Sequence, residues 1–529
     1  MKRTFFEWNG YRYFPYEREF ARHEVWAIVG EEPRDTSGGL EITATLSSDA
    51  AARLTYFRSV RLPSGQLVVP DQLRLEATTN GYSKSQDLKL PRLSRQSTRY
   101  SAHGLHEYRG KFNPQVVRAI GNFLRLKQGD FVLDPFCGSG TVLLEAGHIG
   151  WNALGLDRNP LGVMIANAKT AAIHAPERDI TSAAASIARA LQQGRRQARL
   201  VSQTVYQSRR EKAKLAHIAN IDYVERWFPL PVLVQVSWIL DAIERHAKPR
   251  LRNVFNVMLS DILRDVSWQD PGDLRIRRRK SPANDYPAIQ LFLESVEKKT
   301  NAILMARKAL AIPKAKQLAF MGDTRDARRV LAPQLGRFSR RRFEAAITSP
   351  PYATALPYID TQRLSLCLLG LISSAEIRDT ETAMIGNREL ATRHRQTMEN
   401  GIETNAGRLP EACVRLCREM LIASRKPKNG FRRRNTPALL YKYLCDMAES
   451  FSQVKSLLRR GAPYALLVGQ NSTTLGGQEF CIDTPRLLAS VAETRGFSIG
   501  EIRELQTFQR FDVHRKNSIR SEFLLLLNA

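Results

Sequence analysis

Short apolar runs closed by turn residues alternate with amphipathic stretches through the middle of the chain, a pattern that predicts the strands and helices of an α/β fold. Phe131-Val-Leu-Asp134 reads as a strand, Thr141 to His148 as a helix, Asn152 to Asp157 as a second strand and Asn159 to Thr170 as a second helix. That order begins a doubly wound, Rossmann-like parallel sheet. The alternation stops at residues 171 to 313, where apolar positions recur at helical period. So many apolar residues predict a mainly helical insertion rather than a linker. The sheet pattern resumes at Gln317 to Gly322 and Phe343 to Thr348, with a helix at Leu364 to Ile372. Residues 375 to 437 read as a basic, irregular insert. After them come a helix at Tyr441 to Arg459, a strand at Tyr464 to Val468, a helix at Pro485 to Thr494, and a closing antiparallel hairpin of Phe497 to Leu505 with Ser521 to Leu527. Residues 1 to 97 read as a small β-rich accessory domain whose hairpin turns at Leu62-Pro-Ser-Gly65, followed by a polar linker from Ser83 to Ser101. The expected catalytic domain is thus 98–170 joined to 314–529, with 171–313 as the insertion.

Composition changes this picture in one respect. The chain of 529 residues is 43% hydrophobic, ordinary for a protein with real cores, but it carries 80 Lys and Arg against 52 Asp and Glu, a formal charge of +28. Solubility needs only a few units of charge, so this excess points to a polyanionic partner whose counterions are released on binding. Six cysteines are scattered without a CxxC pair, and no histidine cluster has zinc spacing, so neither a metal nor a disulfide framework is expected. The amino terminus lacks the apolar core of a signal peptide and no apolar run is long enough for a membrane, so a cytoplasmic, DNA-associated protein is expected.

Two strings carry chemistry. The first, Asp134-Pro-Phe-Cys-Gly-Ser-Gly-Thr141, lies between a strand and a helix. Gly138 and Gly140 let the backbone turn tightly and a ligand approach it. Asp157, about 20 residues on at the next strand end, stands where an acidic side chain meets ribose hydroxyls. The string is neither GxGxxG nor a P-loop. Followed by Leu143-Leu-Glu-Ala146, it resembles the cofactor motif of the S-adenosylmethionine-dependent amino-methyltransferases of DNA. The resemblance covers residues of about 100 to 170 and 315 to 529. It implies that Asp134, Pro135, Phe136, Gly138, Ser139, Gly140 and Thr141 cradle the methionine part, that Asp157 holds the ribose, and that Asp323 contacts the adenine ring. His106-Glu-Tyr-Arg-Gly-Lys-Phe-Asn-Pro114 resembles the segment that folds over the methionine carboxylate, with Lys111 and Phe112 as the candidates.

The second string, Ser349-Pro350-Pro351-Tyr352, leaves a strand directly. Its prolines stiffen the loop and donate no hydrogen bonds. An exocyclic amine is a poor nucleophile because its lone pair is delocalised into the ring. Acceptors from Ser349 Oγ and the Pro350 carbonyl would hold its nitrogen closer to tetrahedral, which favours the transition state over the ground state. Tyr352 would stack on a flipped base. Carbon-5 methylation needs a Pro-Cys dipeptide in the family that performs it, and none occurs here. In the resembled family Ser-Pro-Pro-Tyr accompanies N4-cytosine methylation, but the cofactor string precedes the catalytic one here, the reverse of many such members. Methylation of cytosine N4 in double-stranded DNA by base flipping is therefore favoured, with adenine N6, an RNA base and an inactive nucleic-acid-binding scaffold as alternatives. The resemblance also implies a restriction-modification context, with a cognate restriction or defence protein as partner. Arg275, Arg277, Arg278, Arg279, Arg432, Arg433 and Arg434 are the candidate nucleic-acid contacts. His103 and His106 are assigned no catalytic role.

Overall fold

The computed structural model describes residues 3–80, 96–108, 110–198, 215, 218–270, 272–273, 276–337, 342–353, 358–388, 390–426, 430–506 and 521–529. Its centre is a seven-stranded sheet of β6 (Phe131–Asp134), β7 (Asn152–Asp157), β8 (Gln317–Met321), β9 (Ala345–Thr348), β10 (Pro463–Gly469), β13 (Ser498–Gln506) and β14 (Ser521–Asn528), in the order β13-β14-β10-β9-β6-β7-β8. β8, β7, β6, β9 and β10 run parallel, and β14 lies antiparallel between β10 and β13, as the closing hairpin predicts. β6 and β9 are buried at every position, which is why they read as continuous apolar runs rather than alternating ones. From β6 the chain winds outward through β7 to β8, then returns to place β9 on the other side of β6. The loops leaving β6 and β9 therefore meet at the topological switch point, where such sheets bind ligands.

The flanking helices start on recurring local signals. Asn113, Asn159 and Asp483 each accept a hydrogen bond at a helix start, and a proline follows within two residues at Pro114, Pro160 and Pro485. The described residues of 171–313 hold long helices at Glu177–Ala198, Leu230–His246, Pro249–Ile262 and Ala288–Ala309. The insertion is no separate lobe: Val254, Phe255 and Met258 share one apolar cluster with Leu161, Ile165 and Ala168 of the helix after β7. Residues 375 to 437 are not irregular. They hold helices at Ile377–Ala383, Thr392–Thr404, Glu411–Ser424 and Phe431–Arg434. A further hairpin, β11 (Asn471–Leu475) with β12 (Gln478–Ile482), turns at Gly476-Gly477. No helix among the described residues is long and apolar enough to cross a membrane.

The amino-terminal unit has a five-stranded antiparallel sheet, β1 (Thr4–Trp8), β2 (Arg34–Thr36), β3 (Gly39–Ile42), β4 (Phe57–Arg61) and β5 (Leu67–Val68), ordered β2-β3-β1-β4-β5. The β4–β5 hairpin forms where expected. A helix at Pro15–Val29 was not apparent from the apolar pattern, because two of its buried positions are Glu17 and Glu24. One apolar cluster runs from Phe6, Phe20 and Phe57 through Val116 and Ile120 to Val132, Ile347 and Leu467, so this unit and the catalytic sheet share a core.

Burial pushes the carboxyls of Glu17, Glu24 and Glu76 up to about 7. Glu17 Oε2 accepts from Phe14 N at 2.8 Å, and burial outweighs the bonds that lower the carboxyl. A carboxyl raised in the folded state stabilises it fully below the unfolded-state value and loses that contribution as pH climbs through the folded-state value. Glu17→Gln removes the titration, so its stability relative to the wild type should improve between pH 4.5 and 8. The expected gain is about 3 kcal/mol, at about 1.4 kcal/mol for each pH unit between 4.5 and about 7. Paired urea denaturations across that range check it; a difference constant with pH would show Glu17 to be charged in the fold.

Candidate functional site

The two loops that the switch point brings together line one cleft, open to solvent, with about 620 Å³ of empty space. Phe136 and Gly138 come from the loop after β6, Asp157 and Arg158 from the end of β7, Gly322, Asp323 and Thr324 from the end of β8, and Ser349 and Pro351 from the loop after β9. Tyr108 and Gly110 close it from the amino-terminal side, Met384 and Ile385 from the 375–437 insert.

The strand ends are tied to each other by side chains. Thr348 Oγ1 donates to Asp134 Oδ1 at 2.6 Å, joining β9 to β6 immediately before the Ser-Pro-Pro-Tyr loop. Asp134 itself is buried rather than cleft-lining, and burial raises its carboxyl to about 7. Thr324 Oγ1 donates to the Pro135 carbonyl at 2.5 Å, fixing the end of β8 against the same loop. Asp157 Oδ2 accepts from Gly138 N at 2.8 Å and Oδ1 from Asn159 N at 2.8 Å. Each of those oxygens keeps a second lone pair, the acceptor capacity a ribose diol requires. Asp323 is bridged by two guanidiniums, Arg158 Nη1 and Arg325 Nη2, both at 2.6 Å from Oδ2. Burial acts to raise the Asp323 carboxyl, but the bonds from Arg325 and Arg158 outweigh it and hold it below the ordinary value.

Five expected cofactor residues serve the loop rather than line the cleft. Asp134 and Pro135 make the ties just described. Ser139 is buried and receives Lys169 Nζ on its carbonyl at 2.8 Å and its hydroxyl at 3.2 Å. Gly140 (φ 74°) caps the helix Thr141–Ile149, and Thr141 is buried at that helix's first position. Lys111 and Phe112 do not line the cleft. Lys111 Nζ donates to the Thr98 and His103 carbonyls at 2.7 and 3.4 Å, burial lowering it to about 7, and Phe112 is buried in the core. From the same segment, Tyr108 and Gly110 line the cleft. Arg158, the direct neighbour of Asp157, was also overlooked.

On the catalytic loop, Ser349 Oγ donates to the Leu467 carbonyl of β10 at 3.1 Å. Its proton is thereby committed and its lone pairs remain available as acceptors. Pro350 is buried, and Tyr352 Oη donates to Glu522 Oε1 of β14 at 3.2 Å. The loop is thus anchored to the strand on each side of β9 and again at β14.

The candidate arginines divide. Arg279 donates to the Gln269, Arg264 and Asp265 carbonyls at 3.0, 3.1 and 2.7 Å, holding the insertion's own chain. Arg278 lies 5.6 and 5.3 Å from the rings of Trp227 and Trp268. Arg277 pairs with Asp273 at 3.5 Å. Arg433 and Arg434 are exposed on the helix Phe431–Arg434, which also carries Arg432, while Arg275 lies outside the described residues. Sequence spacing did not reveal the buried group of His103, Glu145 and His148, with Glu145 Oε1 at 2.6 and 3.2 Å from the two rings. Arg118 already ion-pairs with the other oxygen of Glu145, so the carboxylate is neutralised by the protein itself. His106 Nε2 lies 2.9 Å from Ser260 Oγ, a packing contact.

The cleft suits S-adenosylmethionine. Gly138 (φ 45°) leaves open the space that a Cβ would occupy 3.4 Å from the Tyr108 ring. Acidic side chains stand at two successive strand ends, and Phe136, Met384 and Ile385 offer apolar walls. Phe136, Gly138, Asp157 and Asp323 would hold the cofactor, which supplies a methyl group carried on a sulfonium.

Comparison with known proteins agrees. A family model described as "RMKL-like, methyltransferase domain" matches residues 105–223. The Type II methyltransferase M.MjaII of Methanocaldococcus jannaschii is 38% identical over 91 residues, 17% of each protein. The tRNA (guanine(10)-N2)-dimethyltransferase of the same organism is 54% identical over 44 residues, 8% of this chain and 12% of that protein. The Type II methyltransferase M.AvaI of Nostoc sp. is 22% identical over 443 residues, 78% of this chain and 84% of that protein. The chain thus spans less than a fifth of the length of the first two relatives and most of the third. With a switch-point cleft built from these motifs, the chain is similar to methyltransferase domains over residues 105–223 and to the Type II methyltransferases, whose cofactor is S-adenosylmethionine.

Proposed function

We propose that this protein transfers a methyl group to the exocyclic amino nitrogen of a base in double-stranded DNA, with cytosine N4 as the favoured acceptor. The observation that carries the reading is that Gly138 and Ser349 line one cleft, so a cofactor on the first loop faces an acceptor on the second. Ser349 Oγ, its own proton given to Leu467, is set to accept from an amino hydrogen, and the Pro350 carbonyl supplies a second acceptor. The flipped base would stack on Tyr352, whose hydroxyl donates to Glu522 Oε1. Similarity to Type II methyltransferases and the charge of +28 support DNA as the substrate and a restriction or defence system as the setting.

A tRNA guanine reading draws on the 54% identity to a tRNA (guanine(10)-N2)-dimethyltransferase, which is confined to 44 residues. Incubating the protein and labelled cofactor with unmodified duplex DNA and with tRNA, then digesting to nucleosides for mass spectrometry, separates the readings. N4-methylcytosine from DNA is expected. N6-methyladenine as the sole product would overturn the choice of base, and transfer to tRNA alone would overturn DNA.

A further inference from the structure

A second, larger depression lies in the 375–437 insert and shares a wall with the cofactor cleft. Ala383 lines the one, and the next two residues, Met384 and Ile385, line the other. It is open to solvent, with about 2270 Å³ of empty space. A chain of alternating charges crosses between them. Arg158 meets Asp323 at 2.6 Å, Asp323 meets Arg325 at 2.6 Å, Arg325 meets Asp446 at 2.8 Å, and Asp446 meets Lys442 at 2.5 Å. Arg158 and Asp323 line the cofactor cleft, Lys442 the depression. Arg325 Nη2 also donates to the Ala383 carbonyl at 2.8 Å, which fixes the shared wall.

We propose that this depression is the groove that holds the nucleic-acid strand beside the target base and reads its base edges. The inference rests on the nucleic-acid reading above and adds the place and the residues. Arg378, Asp379 and His394 line the groove, are exposed, and have no side-chain hydrogen bond or ion pair among the described residues. A surface that only neutralises phosphate needs donors of one sign. This one sets a cation beside an acceptor: the Arg378 guanidinium suits guanine O6 and N7, and the Asp379 carboxylate suits the cytosine amino group. The fixed wall places that mixture next to the cleft where the flipped base is received, so the neighbouring nucleotides fall in its reach.

Because these side chains brace nothing in the fold, replacing them should leave the protein folded. The test uses the full chain, a pool of unmodified duplex DNA and labelled cofactor. Arg378→Ala/His394→Ala is expected to lower duplex affinity about tenfold by fluorescence anisotropy, as befits losing one base-edge contact. Cofactor affinity by calorimetry should be unchanged. Asp379→Asn is expected to change which sites are methylated, read by modified-base sequencing. Both variants binding and methylating the same sites as the wild type would overturn the groove. An acidic protein captured on this face with duplex affinity untouched would also overturn it, assigning the face to a protein partner. Failure of the wild type itself to bind or methylate duplex DNA would instead overturn the reading beneath it.

Discussion

Gly138→Val is expected to abolish cofactor binding, with a dissociation constant raised at least about 100-fold in calorimetry while the protein stays folded. The residue sits at φ 45° and lines the cleft. In this left-handed region a β-branched side chain is strained by about 1–2 kcal/mol. That cost is bearable for a domain, but the added methyls fill the space where a ligand must reach the backbone. The single Cβ would lie 3.4 Å from Tyr108 Cε1, ordinary contact, so the substitution obstructs the cleft more than the core. Gly140 is a poorer probe. A Cβ there would fall 2.6 Å from Ala166 Cβ and 2.8 Å from its Cα, and backbone cannot yield. Gly140→Ala would displace the helix Pro160–His174, and lost binding would report disorder. Cofactor bound normally by folded Gly138→Val would mean that the ligand lies elsewhere.

The reading of the sheet from sequence succeeded because its strands are buried on both faces and end on chemistry. Phe131-Val-Leu-Asp134 and Ala345-Ala-Ile-Thr348 are wholly buried, so apolarity alone marks them, and the motifs follow where the strands stop. Facing was harder to read than position. Tyr108 and Gly110 of the segment at 106–114 do border the cleft, but Lys111 turns instead to the Thr98 and His103 carbonyls, which no local pattern encodes. The helix Pro15–Val29 was obscured by buried glutamates, which break the apolar stripe that marks an amphipathic helix. In the insert, the helix Thr392–Thr404 buries only Gly401 and Ile402, so it too lacks a stripe. The β11–β12 hairpin went unread, although Gly476-Gly477 between its strands is a turn signal. The charge excess pointed to a polyanion but not to its contacts: arginines in the basic run at 277–279 were committed to carbonyls, rings and Asp273, while Arg378, outside any run, faces a groove.

Ser349→Ala is expected to slow methyl transfer by about 10²–10³-fold in single turnover, the scale seen when one preorganised hydrogen-bonding group is removed from a polar reaction centre. Cofactor affinity should stay within about twofold, because Ser349 lies on the opposite loop from Gly138. The wild-type hydroxyl gives its proton to the Leu467 carbonyl at 3.1 Å, while Thr348 beside it is held by Asp134 at 2.6 Å. The oxygen is therefore aimed before substrate arrives, and its free lone pairs need no reorganisation to accept an amino hydrogen. Removing it leaves the Leu467 carbonyl short of a donor, which costs stability about 1 kcal/mol. That is too little to unfold a domain, so a rate effect can be separated from a folding effect. The loss should fall on the rate more than on substrate binding: in the ground state the amine is planar and its hydrogens are weak donors, whereas positive charge gathers on nitrogen as the new bond forms and the same contact strengthens. A single-turnover rate equal to the wild type's, in a variant that still binds cofactor and DNA, would remove Ser349 from the chemistry and leave the Pro350 carbonyl as the remaining acceptor.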